Sequence, residues 1–338
     1  MKLSIAVIVI ALAIHATAQE RNSDWTDVIA VAIQHSALTL PGSKPFHLKA
    51  EIIESTNPDS GYKGKFEEYW VSPEKWRRTI ESPEFSQTKV VNGDKVFEHD
   101  TGDYFPWWLN NLITVMLDPW PGFVMRDHIN KQAGSKLNPQ ISSVCTRTKI
   151  GNDQWAFCIE PRRMLLTNAF DISGGFVGDF KNFADFGRKQ VARQINMDPE
   201  PGTTIQATIT QLTELREPDE TLFAIEKSTP PEGRINSLRI SEETLRGLSL
   251  TSTEIEWPAV EGGLLTGGCA LYVSADRSGH MREVWPGGCD NNELVTPLRE
   301  IVRKWRLKTA TVNGAPVQVE ARLTFPVKTT LKSKSKTD

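Results

Sequence analysis

Metal-ligand spacing is missing from this 338-residue chain. Its six histidines, at 15, 35, 47, 99, 128 and 280, fall into no H-E-x-x-H, H-x-H or C-x-x-C pattern. Neither metal catalysis nor a structural metal finds support, and no cofactor is expected. There is no G-x-S-x-G elbow and no phosphate-cradling loop; Gly174-Gly175 is an isolated pair. Glu98-His99-Asp100 offers acid/base residue types, but on a strand His99 points away from both neighbours and reads as a surface residue. The chain therefore reads as non-enzymatic.

An excess of one charge is missing too. With 39 Lys and Arg against 42 Asp and Glu the net charge is −3, which leaves no electrostatic footprint for nucleic acid. Basic residues concentrate only at the end, where 329–338 reads as a disordered, solvated tail. Long apolar runs are missing as well. Leu3 to Ile14 is the longest, and it falls short of the roughly 17–25 residues that a bilayer demands. It follows Lys2 and precedes Ala16-Thr17-Ala18, the build of a secretory signal (1–18) cleaved after Ala18. The mature chain is expected to start at Gln19, to carry no transmembrane helix and to be periplasmic or secreted.

Cysteine is scarce: four residues, an even number, which in an oxidising compartment favours two disulfides. In "SSVCTRTKIGNDQWAFC" a two-residue Gly151-Asn152 turn opposes Ile150 to Asp153 and Cys145 to Cys158, at a non-hydrogen-bonded position where Cα atoms lie about 4.5 Å apart. Cys269 and Cys289 flank a second hairpin, "ALYVSADRSGHMREVW". With its turn at 276–279, Cys269 faces Pro286 and Cys289 lies three residues beyond. This second bond requires the "PGGC" loop to fold back.

What the chain does have is material for a core: 39% hydrophobic residues, ten Trp and fourteen Phe, enough for two domains. An amphipathic helix over 24–38 is followed by strand-length segments "FHLKAEIIES", "YKGKFEEYWV", "KWRRTIES", "FSQTKVV" and "KVFEHD", separated by Pro or Gly turns. This is an antiparallel meander. It meets "DYFPWWLNNLITVMLDPWPGF", whose apolar residues run almost all the way round a helix, so that no single surface buries them. Two readings stay open: a core helix under the sheet, or a lid formed by Trp107, Trp108, Leu112, Ile113, Met116 and Trp120 over an apolar ligand. Further strands follow to about Ile225, and the Pro-rich 228–234 divides a domain at 19–227 from one at 235–328.

The order of helix, meander carrying "YWVSPEKWRRTIES", aromatic-rich helical insertion and closing strands resembles the LolA/LppX-type lipoprotein-carrier superfamily over roughly 24–225. Tyr69, Pro73 and Lys75-Trp76-Arg77 are its best anchors. The resemblance implies an α+β protein whose N-terminal antiparallel open half-barrel carries helices on its concave side and takes a lipid or acyl chain.

In the second domain the two strands of the cysteine-flanked hairpin precede a helical face of Leu294, Leu298, Ile301, Val302 and Trp305, capped by Asp290 with Glu293 or by Thr296 and ending near Arg306. A last strand pair turns at Asn313-Gly314. This β-β-α-β order, with "DRSG", "KW", "NGAPV" and "LTF", resembles the TonB C-terminal domain over about 257–328. The resemblance implies β-augmentation by an extended segment of an outer-membrane receptor, in support of transmembrane transport, on the edge strand bearing Val317, Val319, Ala321, Leu323 and Phe325. Energy transducers of that family keep an uncleaved anchor and a Pro-rich spacer; the signal read above departs from this, so the expected function is binding. Amino-terminal sequencing of the exported protein should read Gln19-Glu20-Arg21; a chain still starting at Met1 would overturn the signal reading.

Overall fold

The computed structural model describes residues 25–40, 43–57, 60–119, 144–150, 153–171, 177–200 and 202–332. Trp120, the signal segment and the tail from 333 lie outside the described residues.

Helix α1 (Trp25–Ser36) leads into the meander β1 (Phe46–Glu54), β2 (Gly64–Ser72), β3 (Lys75–Glu81), β4 (Ser86–Asn92) and β5 (Lys95–Asp100). After helix α2 (Trp107–Leu117) come β6 (Val144–Ile150), β7 (Asp153–Glu160), β8 (Leu165–Asp171), β9 (Val177–Phe186), β10 (Lys189–Glu200) and β11 (Thr203–Glu214). The eleven strands form one open antiparallel sheet in the order β5-β4-β3-β2-β1-β11-β10-β9-β8-β7-β6. Two meanders are thus joined where β1 pairs with β11, Phe46 opposite Glu214. Alternation decides which side is concave. Phe46, Leu48, Ala50 and Ile52 of β1 and Ile205, Ala207 and Ile209 of β11 point inward and are buried. The sheet ends at Glu214, short of the expected Ile225: Glu220–Phe223 is a 3-10 turn that packs Phe223 beneath Lys75.

The C-terminal unit adds β12 (Ser237–Arg239), α3 (Glu242–Leu248), β13 (Thr266–Ala275), β14 (Met281–Cys289), α4 (Val295–Arg303), β15 (Ala310–Val312) and β16 (Ala315–Lys328). Its five-stranded sheet runs β12-β16-β13-β14, with β15 also on β16. One face buries Leu298, Val302 and Trp305, from α4 and the residues just after it, against Leu271, Val273, Leu323 and Phe325. Neither β12 nor α3 carries enough periodicity to stand out in the sequence. The expected cap differs as well: Asn291 caps a short 3-10 turn that runs into α4, Thr296 and Pro297 lie inside the helix, and Asp290 instead accepts the Gly268 N–H at 2.7 Å. The helix stops at Arg303, three residues early.

The first cysteine pair follows the hairpin arithmetic: Ile150 opposes Asp153, Cys145 opposes Cys158, and the two are disulfide-bonded with Cα atoms 4.0 Å apart. The second corrects it. Cys269 lies directly opposite Cys289 and is bonded to it. The Arg277–Gly279 turn spans one residue fewer than two-by-two counting assumed, with Asp276 N bonded to His280 O. Register shifts between Ser274 and Ala275 and between Cys269 and Leu271 each add another residue on β14. These three offsets carry Cys289 into place without a folded-back loop.

Replacing Cys145 and Cys158 by Ala should lower unfolding stability of the large domain by roughly 3 kcal/mol, the chain-entropy value for so short a loop, read from urea midpoints. An unchanged midpoint would contradict a bond that constrains the unfolded chain.

Candidate functional site

Helix α2 is buried on every side but the narrow one of Asn110, Asn111 and Thr114. Trp107, Trp108, Leu109, Leu112, Ile113, Val115, Met116 and Leu117 are all enclosed, so both sheets contribute to covering one helix. Trp107 stacks on Tyr272 of β13 at 6.1 Å and leans on Trp285 of β14 at 6.4 Å. Trp108 meets Tyr62 edge-on at 5.4 Å. Leu112 and Ile113 sit in the core under the large sheet. The residues read as a lid therefore do not face one cavity. Trp107 belongs to the junction with the C-terminal sheet, whereas Val115 and Met116 line a slot against β8, β9 and β10 with Leu166, Phe180 and Ile195. That slot measures about 10 Å³, about one water. Ser36, the last residue of α1, also lines it, and its buried Oγ has no hydrogen-bond partner among the described residues.

The other half of the concave face is charged. Glu68, Arg78, Lys89 and Glu98 occupy one row across β2, β3, β4 and β5, each directly opposite the next. Arg78 donates to Glu68 at 2.7 Å, and Lys89 reaches Glu98 at 2.6 Å. Both carboxylates are fully enclosed, and Arg78 lies between the Phe66 and Trp76 rings at 5.5 and 5.0 Å. Burial raises the pKa of Glu68 against the opposing pull of Arg78. One step along, Gln87 donates to Asp100 at 2.8 Å, and burial together with neighbouring Glu98 pushes Asp100 up to about 7. The second Glu98 oxygen accepts the Ile235 N–H at 2.7 Å, while Thr229 bonds β5 through Val96 O and both backbone groups of Glu98. The expected linker is thus fastened to the edge of the large sheet. His99 points outward, as strand geometry requires; its flanking carboxylates, unpaired in the sequence reading, turn inward, Glu98 buried and Asp100 half-buried.

A polar seam crosses the junction. Glu283 of β14 accepts the Trp107 N–H at 2.9 Å, and the same N–H lies 3.2 Å from the Tyr104 hydroxyl. Gln318 of β16 exchanges bonds with both backbone groups of Phe105, at 3.0 and 3.2 Å, which ties the entry of α2 to the small sheet as a strand partner would. Burial pushes Glu283 up to about 7, and burial with the nearby Glu283 charge lifts the Tyr104 phenol well above its usual range.

The strand expected to take a partner does not present a free edge. Val317, Val319, Ala321, Leu323 and Phe325 are all buried in the small core. On the outer margin of β16, Val317 pairs with Ala310 of β15, and Gln318, Val319 and Glu320 pair in parallel with Ser237, Leu238 and Arg239 of β12. Farther along, Glu242 of α3 accepts from Thr324 N at 3.0 Å, Arg246 donates to Thr324 O at 3.1 Å, and Pro326 has no N–H to offer. From Ala315 to Glu320 and at Thr324 this margin already has partners, which leaves no continuous free edge there for β-augmentation. The misreading has a physical cause: β12 and α3 are too short to announce themselves, so the strand they cover looks terminal.

No family model matches the chain, and no curated protein matches it by sequence. Solved structures do. The chain is similar to a LolA-superfamily protein from Nitrosomonas europaea, with 11% identity over 59% of this chain and 97% of the other, at a TM-score of 0.35. It is also similar to an outer membrane lipoprotein-sorting protein domain from Vibrio parahaemolyticus (9%, 59% and 95%, 0.37) and to a DUF1329-family protein from Desulfovibrio piger (9%, 59% and 95%, 0.40). Function is left to the residues themselves.

On the convex face His47 bridges Glu67 at 2.7 Å and Gln211 at 3.0 Å and stacks on Tyr69 at 4.0 Å. Among the described residues no His, Cys, Asp and Glu come together as a metal site.

The pKa of Glu283 is raised from 4.5 to about 7, so the buried acid costs nothing below pH 4.5 and its penalty grows until the pH passes about 7. Glu283→Gln keeps the acceptor for Trp107 and removes the charge. Its stability should match wild type near pH 4 and exceed it by about 2–3 kcal/mol near pH 8. A variant that tracks the wild-type pH profile throughout would refute the assignment.

Proposed function

We propose that the protein is a periplasmic carrier or sensor of lipid or lipoprotein acyl chains, which it binds between α1, α2 and the concave face, and that it acts by binding without chemistry. The observation that carries this reading is the apolar slot of Val115, Met116, Leu166, Phe180, Val191 and Ile195, closed on one side by a helix end whose Ser36 hydroxyl lacks a partner among the described residues. Apolar walls with a few converging polar groups are what an acyl-chain site requires. As it stands the slot accepts about one water, so a chain enters by displacing α1 from β8 and β10. That movement breaks the bonds of Lys189 to the Gln34 and Ala37 carbonyls and of Leu38 N to Leu117 O, and uncovers Ala32, Ala37 and Leu38, which are fully buried. The signal reading of residues 1–18 supplies the periplasmic part of the proposal. Capture of an extended receptor segment on β16 is left out, because that margin is occupied.

Organic extraction of protein purified from the periplasm, followed by mass spectrometry, should recover a bound amphiphile near one per chain. Ala192→Trp fills the slot from β10 and should abolish recovery while keeping a cooperative melt. Wild-type protein free of any lipid, and binding none on incubation with acyl chains, would end the carrier reading.

A further inference from the structure

A second cavity, of about 320 Å³, is lined by Lys44, Phe186, Arg188 and Lys189. It shares two elements with the apolar slot: the β9–β10 hairpin, and the C-terminal end of α1, where Lys189 donates to the carbonyls of Gln34 and Ala37 on either side of Ser36. Phe186 is the wall between this cavity and the main core, edge-on to Phe46 at 6.4 Å. The cavity is therefore cationic on its rim and apolar at its base.

Sequence and local geometry build this rim. Gly187 turns the hairpin with φ of +62°, and the aliphatic stem of Lys44 lies across it, 3.3 Å from where a Cβ would stand. A side chain there would push Lys44 away. No carboxylate lines the cavity. Glu214 pairs with Lys44 at 2.9 Å, the charge of Asp118 reaches Lys189, and Asp185 on the same hairpin accepts from Gln190 at 3.0 Å. Among the described residues no carboxylate pairs with Arg188. Burial lowers the Lys189 pKa, so a bound anion would be a favourable neighbour for this ammonium. Two hydroxyls add to the pattern. Ser36 Oγ and Ser43 Oγ, one lining the slot and the other next to Lys44 in the chain, are buried without partners among the described residues. Buried hydroxyls left this way cost free energy that an acceptor oxygen would recover.

We propose that this cavity is a head-group subsite, which takes the phosphate or carboxylate of an anionic amphiphile whose chain enters the adjoining slot. The assignment rests on the carrier reading above and narrows its ligand class. Arg188 and Lys44 supply charge-assisted bonds, Ser36 completes the contact at the mouth of the slot, and Phe186 packs the first carbons.

The test uses the full mature protein, titrated by calorimetry with dodecyl phosphate, dodecanoate, neutral 1-dodecanoylglycerol and inorganic phosphate, against the variant Lys44→Gln/Arg188→Gln. Lys189 is left intact because it holds α1. Both anionic amphiphiles should bind about tenfold or more tightly than the neutral one, and the variant should erase that advantage while leaving the neutral probe within about twofold. Added salt should weaken only the anionic probes. Equal affinity for the neutral probe, unmoved by the variant, would overturn the head-group subsite and leave the carrier reading standing. Inorganic phosphate binding as tightly as dodecyl phosphate would overturn the amphiphile assignment in favour of a free anion. Failure of every chain-bearing probe, with no lipid extracted, would remove the carrier reading and this inference with it.

Discussion

The structure turns on a helix that no single surface can bury. Eleven residues with eight enclosed side chains demand apolar company on every side but the one of Asn110, Asn111 and Thr114, and at roughly 1.5–3 kcal/mol for each large side chain taken from water that demand outweighs any preference of the two sheets to remain separate. The large sheet covers most of α2, and the small sheet covers its first turn at Trp107. Tyr272 and Trp285 consequently belong to the same core as Phe46 and Ile205, although they lie on the small sheet. The domain boundary in the sequence is real as a composition change, yet the hydrophobic interior crosses it. Polar groups then fix the orientation that burial leaves free: Gln318 reads the Phe105 backbone and Glu283 the Trp107 N–H. Such groups are costly to bury and expensive to leave unmatched, which is why they specify one docking.

The concave face divides its labour. Toward β9 and β10 it is apolar and closed by helices; toward β2–β5 it carries the row Glu68, Arg78, Lys89 and Glu98. A buried row of balanced charge adds little net stability, but it punishes any alternative register severely: a slip of one residue would turn the row to the other face, and a slip of two would set Glu68 against Ile80 or Arg78 against Phe66. The row thus keeps β2 to β5 aligned, while the opposite half is held by apolar packing against the helices.

Much of the fold was legible in the sequence because period-two alternation and turn residues act locally. The first meander, the position of the Cys145–Cys158 bond and the β-β-α-β order of the small unit all follow from counting outward from turns. Of the charged row, only Lys89 opposite Glu98 follows from such counting, outward from Gly93-Asp94; Arg78 meets Lys89 across a four-residue turn at 82–85, and Glu68 meets Arg78 only after the register shift between Trp70 and Ser72. What failed was non-local or small. Two register shifts moved Cys289 opposite Cys269, three-residue β12 occupied the margin of β16, and the side chains of α3 satisfied Thr324. The cationic cavity joins Lys44 to the Arg188-Lys189 turn across most of the first domain, a proximity that exists only once β1 has found β11.

That last pairing has a consequence for how the chain is made. Every neighbour of β1 through β5 is available within a few tens of residues, but the second partner of β1 is the final strand of the sheet, so Phe46 waits for Glu214. Until then β1 is a bare, apolar-faced edge on an unfinished meander, and closure is a slow, long-loop step. A chain threaded across a membrane from its amino terminus would present that edge to its surroundings throughout the delay. The large sheet is therefore a structure whose vulnerable moment falls late in its own assembly, when its first strand still lacks its last neighbour.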